Sequence, residues 1–183
     1  MINAKEVIEE SLPVLTVCAA ISIMSGMFLG NNQELLKALP GLLIIVPSFN
    51  AVNGNISSVM ASRISSGLHM GLIKPRFHES GVLRTNILAM TFVAAISFLL
   101  LGMVAAGINS YAGIEMANFI VFPSITFTAG ILTVVMLMTG SIFTSYLIYR
   151  HGIDPDNVVV PILTTIGDFV GISMLLLIAS AAI

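Results

Sequence analysis

Residues 157–183 read NVVVPILTTIGDFVGISMLLLIASAAI, and the only charged side chain among them is Asp168. A helix that crosses a bilayer needs roughly 20 mostly apolar residues, so this stretch is long enough. Working back along the chain, four more stretches carry no charge: Ser11–Gln33, Ala38–Ser62, Thr85–Ile114 and Met116–Tyr149. Fifteen of the sixteen charged residues fall between these stretches or ahead of the first. The pattern predicts an all-α, polytopic membrane protein with five transmembrane helices, at about 11–33, 38–62, 85–109, 120–149 and 157–182.

Composition agrees. Of the 183 residues 57% are hydrophobic and 9% charged, with a mean hydropathy of +1.04. A soluble domain is about 25% charged, so a soluble fold of this chain would present a largely apolar surface. A cytosolic enzyme, a nucleic-acid binder and a disordered tail are excluded. The net charge of −2 decides nothing by itself. No linker or second composition regime interrupts the chain, so residues 1–183 are read as a single integral-membrane domain.

The distribution of charge sets an expected topology. With five spans, one side holds the N-terminus, the Arg63–Arg84 loop and the Arg150–Asp156 loop, with Lys5, Arg63, Lys74, Arg76, Arg84 and Arg150. The other side holds only Lys37. Lys and Arg accumulate in cytoplasmic loops, which places the N-terminus in the cytoplasm and the C-terminus outside, in a multi-pass protein of the cell (plasma) membrane. Lys5 is outnumbered by Glu6, Glu9 and Glu10, unlike the positive start of a signal peptide; the first helix is expected to be retained. Cys18 is the one cysteine and reads as a small apolar packing residue. The Arg63–Arg84 loop could include a short amphipathic helix, and Pro123 should end or kink helix near the outer end of Met116–Tyr149.

Polar residues inside the spans point to function. In the second helix Asn50, Asn53, Gly54, Ser57 and Ala61 share one helical face, which Asn55, Ser58 and Ser62 widen into a polar arc. Asn53-Gly54-Asn55, six residues after Pro47, suggests a break in regular helix, whose freed carbonyls could coordinate cations. Interhelical hydrogen bonding is the competing explanation. In the fourth helix the milder stripe Thr126, Gly130, Thr133, Gly140 and Thr144 reads as packing.

The fifth helix carries the sharpest signal. Pro161, Thr164, Thr165, Asp168 and Gly171 share a face, and Asp168 lies eleven residues beyond Asn157. At ~1.5 Å per residue that is roughly 17 Å in, near the middle of a ~30 Å hydrocarbon core. A carboxylate there costs about 2.5–3.5 kcal/mol on insertion scales. No Lys or Arg lies at that depth in any predicted helix, so the available partners are a proton, a bound cation or water. Gly167 and Gly171 bracket Asp168 as a small-xxx-small pair that admits a close backbone. Were that backbone a second copy, two Asp168 carboxylates would meet at one axis, where a divalent cation would let both ionise. A homodimer is therefore expected. Asp154, Asp156 and Asn157 at the start of this helix read either as a helix start or as an acidic vestibule that concentrates cations.

Enzymatic chemistry finds no support. The chain has no phosphate-binding glycine loop, no His/Cys cluster with zinc spacing and no nucleophile–base pair. His69, His78 and His151 lack ligand spacing. Thr165-Ile166-Gly167-Asp168 is similar to an intramembrane aspartyl protease motif, but that chemistry needs two carboxylates and the spans hold one.

Pro47, Asn53-Gly54-Asn55 and Ser62-Arg63-Ile64-Ser65 together resemble the second-helix signature of the MgtE and solute carrier family 41 magnesium transporters. Asp154-Pro155-Asp156-Asn157, Pro161, Thr164-Thr165 and Gly167-Asp168 resemble that family's last-helix signature, so the resemblance covers roughly residues 40–183. It implies an MgtE-type membrane domain of five helices that dimerises around a Mg²⁺ pathway, embedded in the lipid bilayer. It further implies Asp168 as the central ion ligand, with Thr164, Thr165, Asn53, Gly54 and Asn55 lining the route. Mg²⁺ is then the transported ion, with no organic cofactor. The chain as given lacks the cytosolic and CBS domains of bacterial MgtE and the tandem second copy of family 41. The expectation is a homodimeric divalent-cation pathway. A Na⁺- or H⁺-coupled exchanger using the same site and a non-transporting membrane subunit are the alternatives.

Overall fold

The computed structural model describes residues 4–73, 81–113, 119–151 and 155–182. Its elements in chain order are α1 (Ala4–Asn31), α2 (Gln33–Ala38), α3 (Gly41–His69), α4 (Gly81–Tyr111), α5 (Val121–Arg150) and α6 (Pro155–Ala181). Five segments are long and apolar enough to cross a membrane: Ser11–Asn31, Gly41–His69, Gly81–Tyr111, Val121–Arg150 and Val158–Ala181. The described residues form no strand. These are the five spans expected from the charge-free stretches, with α2 added as a short link between the first two.

Several boundaries differ from the sequence reading, each for a local reason. The second span does not stop at Ser62; α3 continues through Arg63 to His69, because a long cationic side chain can extend from a helix end toward the headgroups. No break occurs at Asn53-Gly54-Asn55, where the helix is continuous. One glycine costs a helix only about 1 kcal/mol relative to alanine, and α3 is held by α4, α5 and α6 together. Pro123 neither ends nor kinks a helix. It is the third residue of α5, in the first turn, where a missing N–H costs nothing. Of the loop in which an amphipathic helix was expected, residues 74–80 lie outside the described residues.

The helices assemble around α3, which packs against α4, α5 and α6, while the main neighbour of α1 is α6. Phe49 of α3 and Phe98 of α4 are fully buried, with ring centroids 5.0 Å apart. Lipid is as apolar as a leucine side chain, so helices in a bilayer associate through close packing and hydrogen bonds rather than the hydrophobic effect. The α4–α5 seam is built accordingly. Gly130 receives the face of the Phe98 ring, and Gly102 lies directly against Pro123 and Thr126. The Thr126 hydroxyl is within hydrogen-bond distance of the Phe98 carbonyl of α4 (3.0 Å) and of the Phe122 carbonyl of its own helix (2.9 Å). Thr133 donates to the Ala129 carbonyl at 2.8 Å, so the threonine stripe of this helix serves packing, as its spacing implied.

This seam predicts different outcomes at two glycines of α4. A Cβ on Gly102 would stand 2.8 Å from the Pro123 nitrogen and closer still to its Cα, whereas one on Gly107 would meet nothing. Gly102→Ala should destabilise the protein in detergent by about 1–3 kcal/mol, and Gly107→Ala should leave its melting temperature nearly unchanged. Equal melting of the two variants would contradict the seam.

Candidate functional site

The site begins with proline. Pro161, in the second turn of α6, has no N–H, so the carbonyl four residues earlier lacks its helical donor. The Pro161 carbonyl itself is crowded: Thr165 donates to it at 2.8 Å, Thr164 at 3.0 Å, and the Cys18 thiol of α1 reaches it at 3.5 Å. Thr164 also lies 3.1 Å from the Val160 carbonyl. Both threonine protons are thus directed into their own helix, which leaves the hydroxyl lone pairs as acceptors. Thr165 is buried and Thr164 half-buried.

One turn farther on, Asp168 is half-buried in the middle of the Val158–Ala181 span. Among the described residues it makes no hydrogen bond or ion pair, and these residues contain no group of three His, Cys, Asp or Glu that could hold a metal. One protomer therefore offers a single carboxylate at mid-span, one turn beyond the Thr164 and Thr165 hydroxyls.

The polar arc of α3 is divided between two environments. Asn53 is 0% exposed, and neither its amide nitrogen nor its oxygen has a partner; Asn50 Oδ1 is likewise buried and unpartnered. These groups converge over Gly171 of α6, where a Cβ would stand 2.8 Å from Asn53 Nδ2 and 3.2 Å from Asn50 Oδ1. Ser57 donates to the Asn53 carbonyl at 2.8 Å and lies beside Gly167. Gly54 faces the Thr164 methyl group, and Asn55 is exposed on the bundle surface. The fold thus brings Gly54 to Thr164 and Asn53 to Gly171, and it leaves Asn55 pointing away from both.

Two expectations are corrected or bounded here. The close approach that Gly167 and Gly171 permit is taken by α3 of the same chain, at Ser57, Asn50 and Asn53, and by Leu137 of α5; it is not left open for a second copy. Asn50, one member of the arc in the sequence, meets Gly171 in the fold; the matching four-residue spacings of Asn53/Ser57 and Gly167/Gly171 are the signal of that seam in the sequence. Asp154 lies outside the described residues, and Asp156 and Asn157 lie in the first turn of α6, which begins at Pro155.

Comparison with known proteins fits this arrangement. The family model described as "MgtE: Divalent cation transporter" matches residues 46–178, from the start of the α3 polar arc to beyond Gly171. Solute carrier family 41 member 3 of Mus musculus is 29% identical over 169 residues, covering 86% of this chain and 34% of that protein. Solute carrier family 41 member 2 of Gallus gallus is 26% identical over 165 residues, covering 84% and 28%. The human member 2 is 25% identical over 163 residues, covering 84% and 28%. The chain thus spans about a third of the length of the curated relatives it matches. With the family model covering α3 to α6 almost entirely, this polytopic membrane protein belongs to the MgtE divalent cation transporter family.

Proposed function

We propose that this chain carries divalent cations, Mg²⁺ foremost, across a membrane along a route lined by α3 and α6. The observation that supports this reading best is Asp168, a half-buried carboxylate at mid-span with no partner among the described residues. An intramembrane ionisable residue left without a protein partner is a functional feature by default. A bound cation offsets its cost, and the acceptors one turn away on α6, the Thr164 and Thr165 hydroxyls, suit a hard ion, with Gly54 of α3 admitting the route beside Thr164.

Mg²⁺ prefers octahedral oxygens at about 2.0–2.1 Å and gives up water reluctantly. One carboxylate with several neutral oxygens matches an ion that keeps most of its water, since water fills the remaining positions. A single carboxylate neutralises only half of the ion's charge. We therefore take the pathway to lie at a homodimer axis where two Asp168 side chains meet. Asn55, exposed beside Gly54, belongs to that axis, and Asn53 supports it from inside the protomer. Asp154, Asp156 and Asn157 form an acidic mouth at the cytoplasmic end, on the side that holds most of the Lys and Arg. The plasma membrane is the proposed location.

Asp168→Asn keeps size and polarity and removes the charge. Mg²⁺ influx into proteoliposomes should fall at least about tenfold in this variant at equal reconstitution, with unchanged elution in size-exclusion chromatography. Equal flux in both proteins would remove Asp168 as the ion ligand. The axis has its own test. In a Cys18→Ser background, Asn55→Cys should form a disulfide-linked dimer when oxidised in membranes, and Tyr111→Cys, at the far exposed end of α4, should not. A chain that remains monomeric in both would overturn the homodimer axis.

A further inference from the structure

A second polar feature lies away from the proposed pathway, between the C-terminal part of α3 and the first turns of α4. A cleft of about 250 Å³ opens there, with Ser62, Arg63 and Ser66 on one wall and Asn86 on the other. We infer that this cleft binds a phosphate group through Arg63, as the headgroup of an anionic phospholipid or as free phosphate.

The first support is the state of the guanidinium. Arg63 is exposed, and Nη1 donates to Asn86 Oδ1 at 3.1 Å. Among the described residues Asn86 is its one hydrogen-bond partner, and no carboxylate neutralises it. A guanidinium has five N–H donors in a planar fork, so most remain available, and the tie to Asn86 orients them. Ser62 and Ser66, one helical turn apart and both exposed, add hydroxyl donors on the same wall. A cation with hydroxyls and an amide beside it is the donor set that phosphate oxygens take.

The second support is depth. At ~1.5 Å per residue α3 is about 43 Å long, against a ~30 Å hydrocarbon core. Arg63 lies six residues before the end of α3 at His69, or about 9 Å, which puts its Cα close to the edge of the hydrocarbon and its side chain among the headgroups. The third support is the rim. Met70 and Leu72 are 65% and 54% exposed, and Val82 is 41% exposed. An acyl chain fits beside such side chains, and basic clefts between transmembrane helices at the cytoplasmic surface are lipid-headgroup sites. The volume is below the roughly 300–1,000 Å³ of sites for drug-sized ligands, so the cleft takes a phosphate group rather than a whole nucleotide.

The test uses the purified full chain in detergent, with thermal shift and native mass spectrometry. The probes are phosphatidylglycerol, phosphatidylcholine and inorganic phosphate. Wild type should bind phosphatidylglycerol in preference to phosphatidylcholine, and Arg63→Gln should weaken that binding roughly tenfold. Arg63→Lys should retain part of it, and Arg84→Gln, at the same end of α4 but outside the cleft, should change it little. Asn86→Ala removes the interhelical tie and keeps the cation, so binding should persist in that variant. Stabilisation by phosphatidylglycerol alone, lost in Arg63→Gln, assigns the site to lipid; equal stabilisation by inorganic phosphate, lost in the same variant, assigns it to phosphate itself. Unchanged binding in Arg63→Gln, or a loss in Asn86→Ala as large as in Arg63→Gln, would overturn the proposal.

Discussion

The contact on which the bundle depends is the close approach of α3 and α6, where Asn50, Asn53 and Ser57 lie over Gly171 and Gly167. A side chain at Gly171 would occupy the space that the two asparagine amides now fill. In water such a seam could be replaced by larger apolar residues with modest loss. In a bilayer, helices gain nothing by exchanging lipid for leucine, so the glycine-enabled approach and the polar groups within it supply much of the association. Other features follow from that contact: α5 packs on both helices, meeting Gly167 of α6 at Leu137, and α1 packs against α6.

The same contact determines what surrounds Asp168. With Gly167 and Gly171 lying against α3, Thr165 is buried while Thr164, beside Gly54, and Asp168 stay half-buried. A carboxylate fully enclosed by apolar side chains would remain protonated and inert; one open to water or to a second protomer can bind a cation. Pro161 frees a carbonyl only at the start of α6, eleven residues before Asp168, and leaves the helical course intact. The proposed transport chemistry therefore needs no loop and no irregular backbone. It rests on side chains of regular helices, while the phosphate cleft inferred at Arg63 lies about two turns beyond Asn55 on α3.

Much of the fold was legible because charge is costly in hydrocarbon. The absence of Lys, Arg, Asp and Glu over five long stretches leaves few architectures. The family resemblance, carried by Asn53-Gly54-Asn55 and Gly167-Asp168, was also legible and is matched by the family model. Local readings failed where a residue's cost depends on its neighbours. Asn53-Gly54-Asn55 looked like a break, yet α3 stays helical because three helices hold it. Pro123 looked like a stop, yet it falls in the first turn of α5. Arg63 looked like the end of a span, yet a cation near the interface can reach outward.

The sequence by itself determined the number of spans, the depth of Asp168 and the positions at which small or polar residues recur, since these follow from helical rise and from the cost of transferring charge out of water. Only the tertiary structure decided which of those residues meet. Asn53 and Asn55 are two positions apart, and a rotation of about 100° per residue turns them to nearly opposite sides of α3, one buried against Gly171 and the other exposed. A polar arc read along one helix cannot choose its partner. That choice depends on the packing of α4, α5 and α6 around α3, where shape complementarity between distant segments selects one arrangement from several that the helical period allows.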